Sequence, residues 1–171
     1  TASGDGRRPT GATVAYHLPN RGPSVDEGLY KKVILVSHAE AFHPITRARA
    51  QLVLDEDQAA LVNGNESVLG TTFHEFAHGL GAHRELAITT ASGEQTTVGE
   101  AMGDLQSLME EQKADIIGLW LMEQRHQAGA IDEAQAARWY VSHVMHLFGL
   151  LQYQLRGTYP RMVAIQLGHF M

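Results

Sequence analysis

Along most of the chain the apolar positions recur at three- and four-residue spacing, the rhythm of helices with one buried face. Leu69, Phe73, Phe76 and Leu80 form one such stripe, with Ser67 as a candidate N-cap and Gly79 and Gly81 to end the helix. A long helix is predicted from about Val98 to His126, with Gly129 just beyond it. Asp132 with Gln135 resembles a capping box and opens another helix, to about Arg156. Thr158 and Pro160 open a last one. Upstream the rhythm changes. Residues 12–18 alternate weakly and read as a short strand, Pro19 to Pro23 as a turn, and Lys32 to Ser37 as a second, β-branched strand. Pro44 suits the first turn of a helix running to about Leu54, and Asp55 caps a short helix ending near Asn63-Gly64. Residues 86–97, rich in Thr, Ser and Gly, read as a loop. The sum is a mainly α domain with a small β element near its N-terminus. Small polar residues at the start and an apolar helix without a stop signal at the end predict that residues 1–171 are a piece of a longer protein.

Composition narrows the chemistry. A length of 171 residues and a 44% hydrophobic content suit one domain with one sizeable core. A net charge of −6 argues against a nucleic-acid binder, whose electrostatic footprint is basic. There is no cysteine, which removes disulfides, thiolate metal sites and cysteine nucleophiles. No apolar run approaches the roughly 20 residues of a membrane span, and the first residues lack a signal-peptide core, so a cytoplasmic location is expected, with the periplasm as the other choice. Histidine, ten times present, is the metal ligand that remains.

Two of those histidines stand in His74-Glu75-Phe76-Ala77-His78, the motif His-Glu-x-x-His. Residues at i and i+4 lie one turn apart on one helix face, so both imidazoles can reach a single zinc at about 2.0–2.1 Å. Glu75 then points beside the metal and can act as general base toward a zinc-activated water. A catalytic zinc needs a third protein ligand. The metzincin spacing puts Arg84 where that ligand belongs and leaves His83 one residue early. A better source is Glu110-Glu111-Gln112-Lys113-Ala114-Asp115, acids embedded in an apolar helix. Buried carboxylates need a partner. Glu111 and Asp115 share a face and Glu110 points about 100° away, so one acid could bind metal while the others hold the histidines' second ring nitrogens.

These two motifs, extended as His78-Gly79-Leu80-Gly81 and Asp115-Ile116-Ile117-Gly118, resemble the dipeptidyl peptidase III family of zinc metallopeptidases. Val14 to Asn20 and Gly28 to Val33 are similar to that family's Pro-Asn segment and the strand after it. The resemblance implies a helical catalytic lobe with one zinc per chain, held by His74, His78 and Glu111. Glu75 would be the general base, Glu110 and Asp115 the partners that orient the histidines, and Asn20 a contact to the backbone of a short peptide substrate. Pro19-Asn20 also reads as a plain turn. A second, β-rich lobe of the parent chain would complete the substrate cleft.

The chain departs from the family in two ways. The best-known members carry one residue more between the histidines. The shorter form seen here matches bacterial relatives, some labelled only as zinc-dependent or Nudix-associated hydrolases. The family's late helical histidine is also missing from Arg156-Gly157-Thr158-Tyr159-Pro160-Arg161. Tyr159 could donate to an oxyanion in its place, or His143 and His146 could substitute. The expected function is therefore a zinc-dependent peptidase. The competing expectations are a non-catalytic zinc-binding structural or regulatory module, or a helical protein without metal. Trp120, Trp139 and His169 are expected in the packed interior, and His126 at a helix C-terminus.

Overall fold

The computed structural model describes residues 15–18, 29 and 31–170, without the side chains of 16–18, 38–42 and 170. Strands β1 (Ala15–Leu18) and β2 (Lys31–Ile34) pair antiparallel, Ala15 opposite Ile34. Helices α1 (Val36–Val53) and α2 (Glu56–Ala60) follow, then α3 (Gly64–Ala77), which carries the His-Glu-x-x-His motif. A second hairpin pairs β3 (Ala87–Thr89) with β4 (Gln95–Thr97). Short α4 (Val98–Met102), a 3₁₀ turn (Gly103–Leu105), and the long helices α5 (Gln106–Gln127), α6 (Glu133–Leu151) and α7 (Thr158–Phe170) complete the chain. The mainly α architecture with a small β element is as expected.

Three apolar clusters hold the helices together, and α6 enters all of them. Met145 meets Ala50, Ala59 and Val62 of the α1–α2 region. Leu147 meets Leu108 of α5 and Met162 and Val163 of α7. Trp139 and Ala136 meet Met122 of α5, with Leu69 and Phe73 of α3 packed against them. Helix α3 packs most extensively on α5, and glycine permits the closest approach. A β-carbon on Gly118 would stand 3.2 Å from the backbone nitrogen of His74. The absence of that carbon sets how near the acidic helix lies to the histidines.

Several boundaries differ from the sequence expectation. Helix α1 begins at Val36, not Pro44, so the proline lies in its interior and β2 ends at Ile34. The β-branched run through Val36 favours a strand locally, and tertiary placement overrides it. Helix α3 is capped by Asn63, whose side chain accepts from the Asn65 amide, rather than by Ser67. The Ser67 hydroxyl instead donates to the Asn63 carbonyl from inside the helix. The α3 stripe is only partly covered: Leu69 and Phe73 are half-buried, whereas Phe76 is 54% and Leu80 43% exposed, the Phe76 ring lying under Lys32. Residues 87–97 form a hairpin, not a loop. Ile88 pairs with Thr96 and Thr89 with Gln95, on either side of a turn in which Gly93 has φ +86°. The helix predicted over 98–126 is broken where Gly103 turns at φ +51°. Helix α6 stops at Leu151, before Gln154 and Gly157 turn the chain at positive φ. Trp139 is buried as expected, but Trp120 and His169 are exposed. None of the described helices is long and apolar enough to cross a membrane.

Candidate metal centre

Helix α3 ends where its chemistry begins. His78 is its C-cap, the chain then turns through Gly79 and Leu80, and His74 lies one turn earlier on the same face. The rings meet edge to face, centroids 4.8 Å apart. Donor atoms of His74, Glu75 and His78 all lie within 4.8 Å of one another. Helix α5 supplies the opposing wall. Glu111 Oε2 is 3.2 Å from His74 Nε2 and 3.7 Å from His78 Nε2. Donors bound tetrahedrally to one ion at about 2.0–2.1 Å stand about 3.3 Å apart, so Glu111 Oε2 lies within about half an ångström of the spacing that sharing a metal with either histidine nitrogen requires. Two imidazoles and a carboxylate are also a donor set that suits zinc.

The outward ring nitrogens have carboxylates of their own. His78 Nδ1 is 2.9 Å from Glu110 Oε1. His74 Nδ1 is 3.6 Å from Asp115 Oδ1, an electrostatic contact rather than a formed hydrogen bond. Each carboxylate is held in turn. Lys113 Nζ lies 2.9 Å from Glu110 Oε1 and donates to the carbonyls of His78 and Ala82. Gln166 Nε2, from α7, donates to Asp115 Oδ2 at 2.7 Å. The sequence reading missed Lys113 and Gln166. The spacing of Lys113 to Glu110, i to i+3, was a signal for the first. For Gln166 the only signal was a polar residue in the apolar run Met162 to Leu167.

Electrostatics follow from this crowding. Burial alone would lower the His74 pKa, but Asp115 and Glu111 outweigh it and raise it from 6.5 to about 9. Burial raises the Glu75 carboxyl above its ordinary range, only partly offset by His74 and His78. Burial opposes ionisation of Asp115 too, yet His74, His143 and the Gln166 hydrogen bond hold its pKa below the usual value. Glu110 is likewise lowered against burial, by His78 and Lys113. The Tyr159 hydroxyl is raised by burial, by the charges of Glu111 and Glu75, and by a hydrogen bond to Glu111.

The structure thus brings His74, Glu75, His78, Glu110, Glu111, Asp115 and Tyr159 into one cluster. Asn20 lies outside the described residues. His143 stacks on Trp139, with Nε2 3.6 Å from Asp115 Oδ2, behind the site. His146 is exposed, and its electrostatic neighbours are His143, Asp115 and His74 rather than Glu75. His126 ends α5 and pairs with Glu133 at 3.2 Å. A cavity of about 510 Å³ follows the α6–α7 turn, lined by Leu150, Tyr153, Arg156, Gly157, Tyr159 and Pro160, so Tyr159 is common to cavity and cluster.

Fold and site together define a helical lobe that carries a His-Glu-x-x-His candidate metal centre against an acidic helix. Dipeptidyl-peptidase III is the protein whose solved structures it resembles. The match to the enzyme from Corallococcus sp. strain EGB has a TM-score of 0.82 at 32% identity, over 99% of this chain and 31% of that one. The match to DPP III from Caldithrix abyssi has a TM-score of 0.77 at 26% identity, over 90% of this chain and 29% of that one. Nudix hydrolase 3 of Arabidopsis thaliana is 32% identical over 168 residues, which are 98% of this chain and 21% of that protein. No protein-family model matches. The chain therefore spans about a fifth of the curated relative and under a third of the solved ones. The relatives' names differ in the reaction they denote and agree on the coarser class, hydrolase.

Proposed function

We propose that this chain is the zinc-bearing lobe of a longer two-lobed metallopeptidase of the dipeptidyl peptidase III type, acting on short peptides. The observation that carries the reading is the convergence of Glu111 Oε2 on both histidine Nε2 atoms. His74, His78 and Glu111 would hold one zinc, with Glu110 and Asp115 fixing the ring tautomers from behind. Bound zinc supplies a Lewis acid that acidifies water and polarises a carbonyl. Glu75 takes the proton of the attacking water on its carboxylate and delivers it to the leaving amine nitrogen. Its raised pKa suits both halves of that task. The Tyr159 hydroxyl donates to the oxyanion. Its electrostatic neighbours, Glu111 and Glu75, support it over His143 and His146, which neighbour Asp115 and His74. The cavity that shares Tyr159 is the space offered for a substrate side chain. Asn20 keeps its role toward the peptide backbone on resemblance alone.

In the full-length protein, Glu75→Gln should lower kcat for peptide hydrolysis on the order of 10²–10⁴-fold with zinc content unchanged. Undiminished turnover would remove Glu75 as the base. The second reading, a zinc-binding module without turnover, is favoured by the lack of a histidine in Arg156-Gly157-Thr158-Tyr159-Pro160-Arg161, where the resemblance places one. Silence toward a panel of dipeptidyl and longer fluorogenic peptides, with one zinc bound per chain, would select it.

A further inference from the structure

Gln166 has no place in the scheme above, yet it is 6% exposed and sits on the same helix as Tyr159, seven residues later. Residues at i and i+7 share a helix face. Helix α7 therefore turns one face toward the cluster, with Tyr159 in the electrostatic neighbourhood of Glu111 and Gln166 hydrogen-bonded to Asp115. The second contact is buried at both ends, since Asp115 is 7% exposed.

A carboxylate in that position has two ways to turn. Oδ1 faces His74 Nδ1 at 3.6 Å. Oδ2 faces both Gln166 Nε2 at 2.7 Å and His143 Nε2 at 3.6 Å. Only the first of the Oδ2 distances is a hydrogen bond. His143 is committed to stacking on Trp139, 5.3 Å between centroids and 13° from parallel. Gln166 is thus the donor that fixes the carboxylate plane, and with it the direction in which Oδ1 meets His74. The donor is also neutral. A lysine or arginine would compete with His74 for the charge of Asp115, whereas an amide satisfies one oxygen and leaves the charge to act on the ring.

We propose that Gln166 is a positioning residue of the metal centre: it holds Asp115, which holds His74, so that α7 sets the orientation of a ligand it never touches. This rests on the reading of His74, His78 and Glu111 as a zinc site. Outer partners of metal-bound histidines typically govern affinity by 10–100-fold, and a donor one step further out should sit near the lower end.

The test uses the full-length protein and two metals. Zn²⁺ affinity is measured by competition with a chromophoric chelator, and the ligand field is read from the visible spectrum of the Co²⁺-loaded protein. Gln166→Leu should weaken Zn²⁺ binding by about tenfold and shift the Co²⁺ bands. In an Asp115→Asn background the same change should do little, because the two act as one unit. Gln166→Glu keeps the shape but sets a carboxylate against Asp115, and should weaken binding at least as much. It also serves as the working variant if Gln166→Leu does not fold. Unchanged affinity and Co²⁺ bands in a folded variant would overturn the proposal. So would losses that simply add to those of Asp115→Asn, since packing alone would produce them. Absence of Zn²⁺ binding by the unaltered protein would overturn the metal reading itself, and the proposal with it, before any Gln166 variant is compared.

Discussion

The two histidines of the candidate centre are braced in different ways. Behind His78 stand Glu110 and Lys113, both on α5, with side chains 24% and 18% exposed. Behind His74 stand Asp115 and Gln166, the latter from α7, with residue exposures of 7% and 6%. The first arm is charged and closed within one helical turn. The second is neutral at its outer end and joins residues 51 positions apart. The pairing of Glu110 with Lys113 needs only α5 to be helical, whereas that of Asp115 with Gln166 exists only once α7 has docked. Holding His74 therefore depends on a third helix, α7, as well as on the packing of α3 against α5 that both histidines need.

Truncating the two carboxylates separates the arms most sharply. Asp115→Ala strands the buried Gln166 amide and removes the carboxylate facing His74 and His143, and an unpartnered buried polar group costs about 1–3 kcal/mol. Glu110→Ala leaves Lys113 able to turn to water while still bonded to backbone carbonyls. Both should weaken zinc binding by about 10–100-fold. Only Asp115→Ala should also lower the thermal midpoint of the metal-stripped protein by several degrees. Equal losses of stability in paired melting curves would break the distinction.

This asymmetry also explains what could be read before the fold was known. His74, Glu75 and His78 declare themselves because the i,i+4 spacing is local. The triad Glu110, Glu111 and Asp115 stands out because acids in an apolar helix call for a partner. Sequence alone left open which acid meets which ring, since that depends on the approach of α5 to α3, set by the missing β-carbon of Gly118. Gln166 stayed hidden for the same reason, its partner being on another helix. The 87–97 hairpin is marked by the β-branched Ile88, Thr89, Thr90, Thr96 and Thr97 on either side of Ser92-Gly93, but the polarity of the segment favours a loop. Helix α1 was cut short because Pro44 marks first turns more often than interiors. Phe76 and Leu80 show the limit of periodicity: it finds a stripe, not what covers it.

pH should divide the arms less strongly. In metal-stripped protein, His74 faces Asp115 and Glu111 from α5 and neighbours Glu75 on its own helix, and its pKa rises from 6.5 to about 9. A raised histidine adds stability that is complete below 6.5 and is lost as pH climbs through about 9. Glu75, also raised, loses its contribution as pH rises through its own higher value. Asp115 and Glu110 are lowered, so theirs is complete above the ordinary carboxylate range and is lost as pH falls below it. His143, lowered by burial, loses its contribution as pH falls through 6.5. The stripped protein should therefore be most stable near pH 6.5 and decline toward pH 9. Zinc should flatten the alkaline limb, since a bound imidazole carries no proton to lose. Melting curves from pH 4 to 9, with chelator and with zinc, read this directly. A level curve between 6.5 and 9 in chelator would show that the carboxylates do not hold a proton on His74.

The smallest difference is expected at the outer ends of the arms. Lys113 meets Glu110 near the surface, where an ion pair contributes about 0–1 kcal/mol and is screened by salt. Lys113→Met removes that charge and two weak bonds to the turn after α3, at 3.4 and 3.2 Å, but keeps the aliphatic stem that lies beside Gly81. Zinc affinity should fall only about two- to fivefold, and the deficit against unaltered protein should shrink as ionic strength rises from about 0.05 to 0.5 M. Gln166→Leu carries no charge change, so its deficit should not move over that range. A salt-independent loss for Lys113→Met would assign Lys113 to packing of the Gly79–Ala82 turn and leave the His78 arm ending at Glu110.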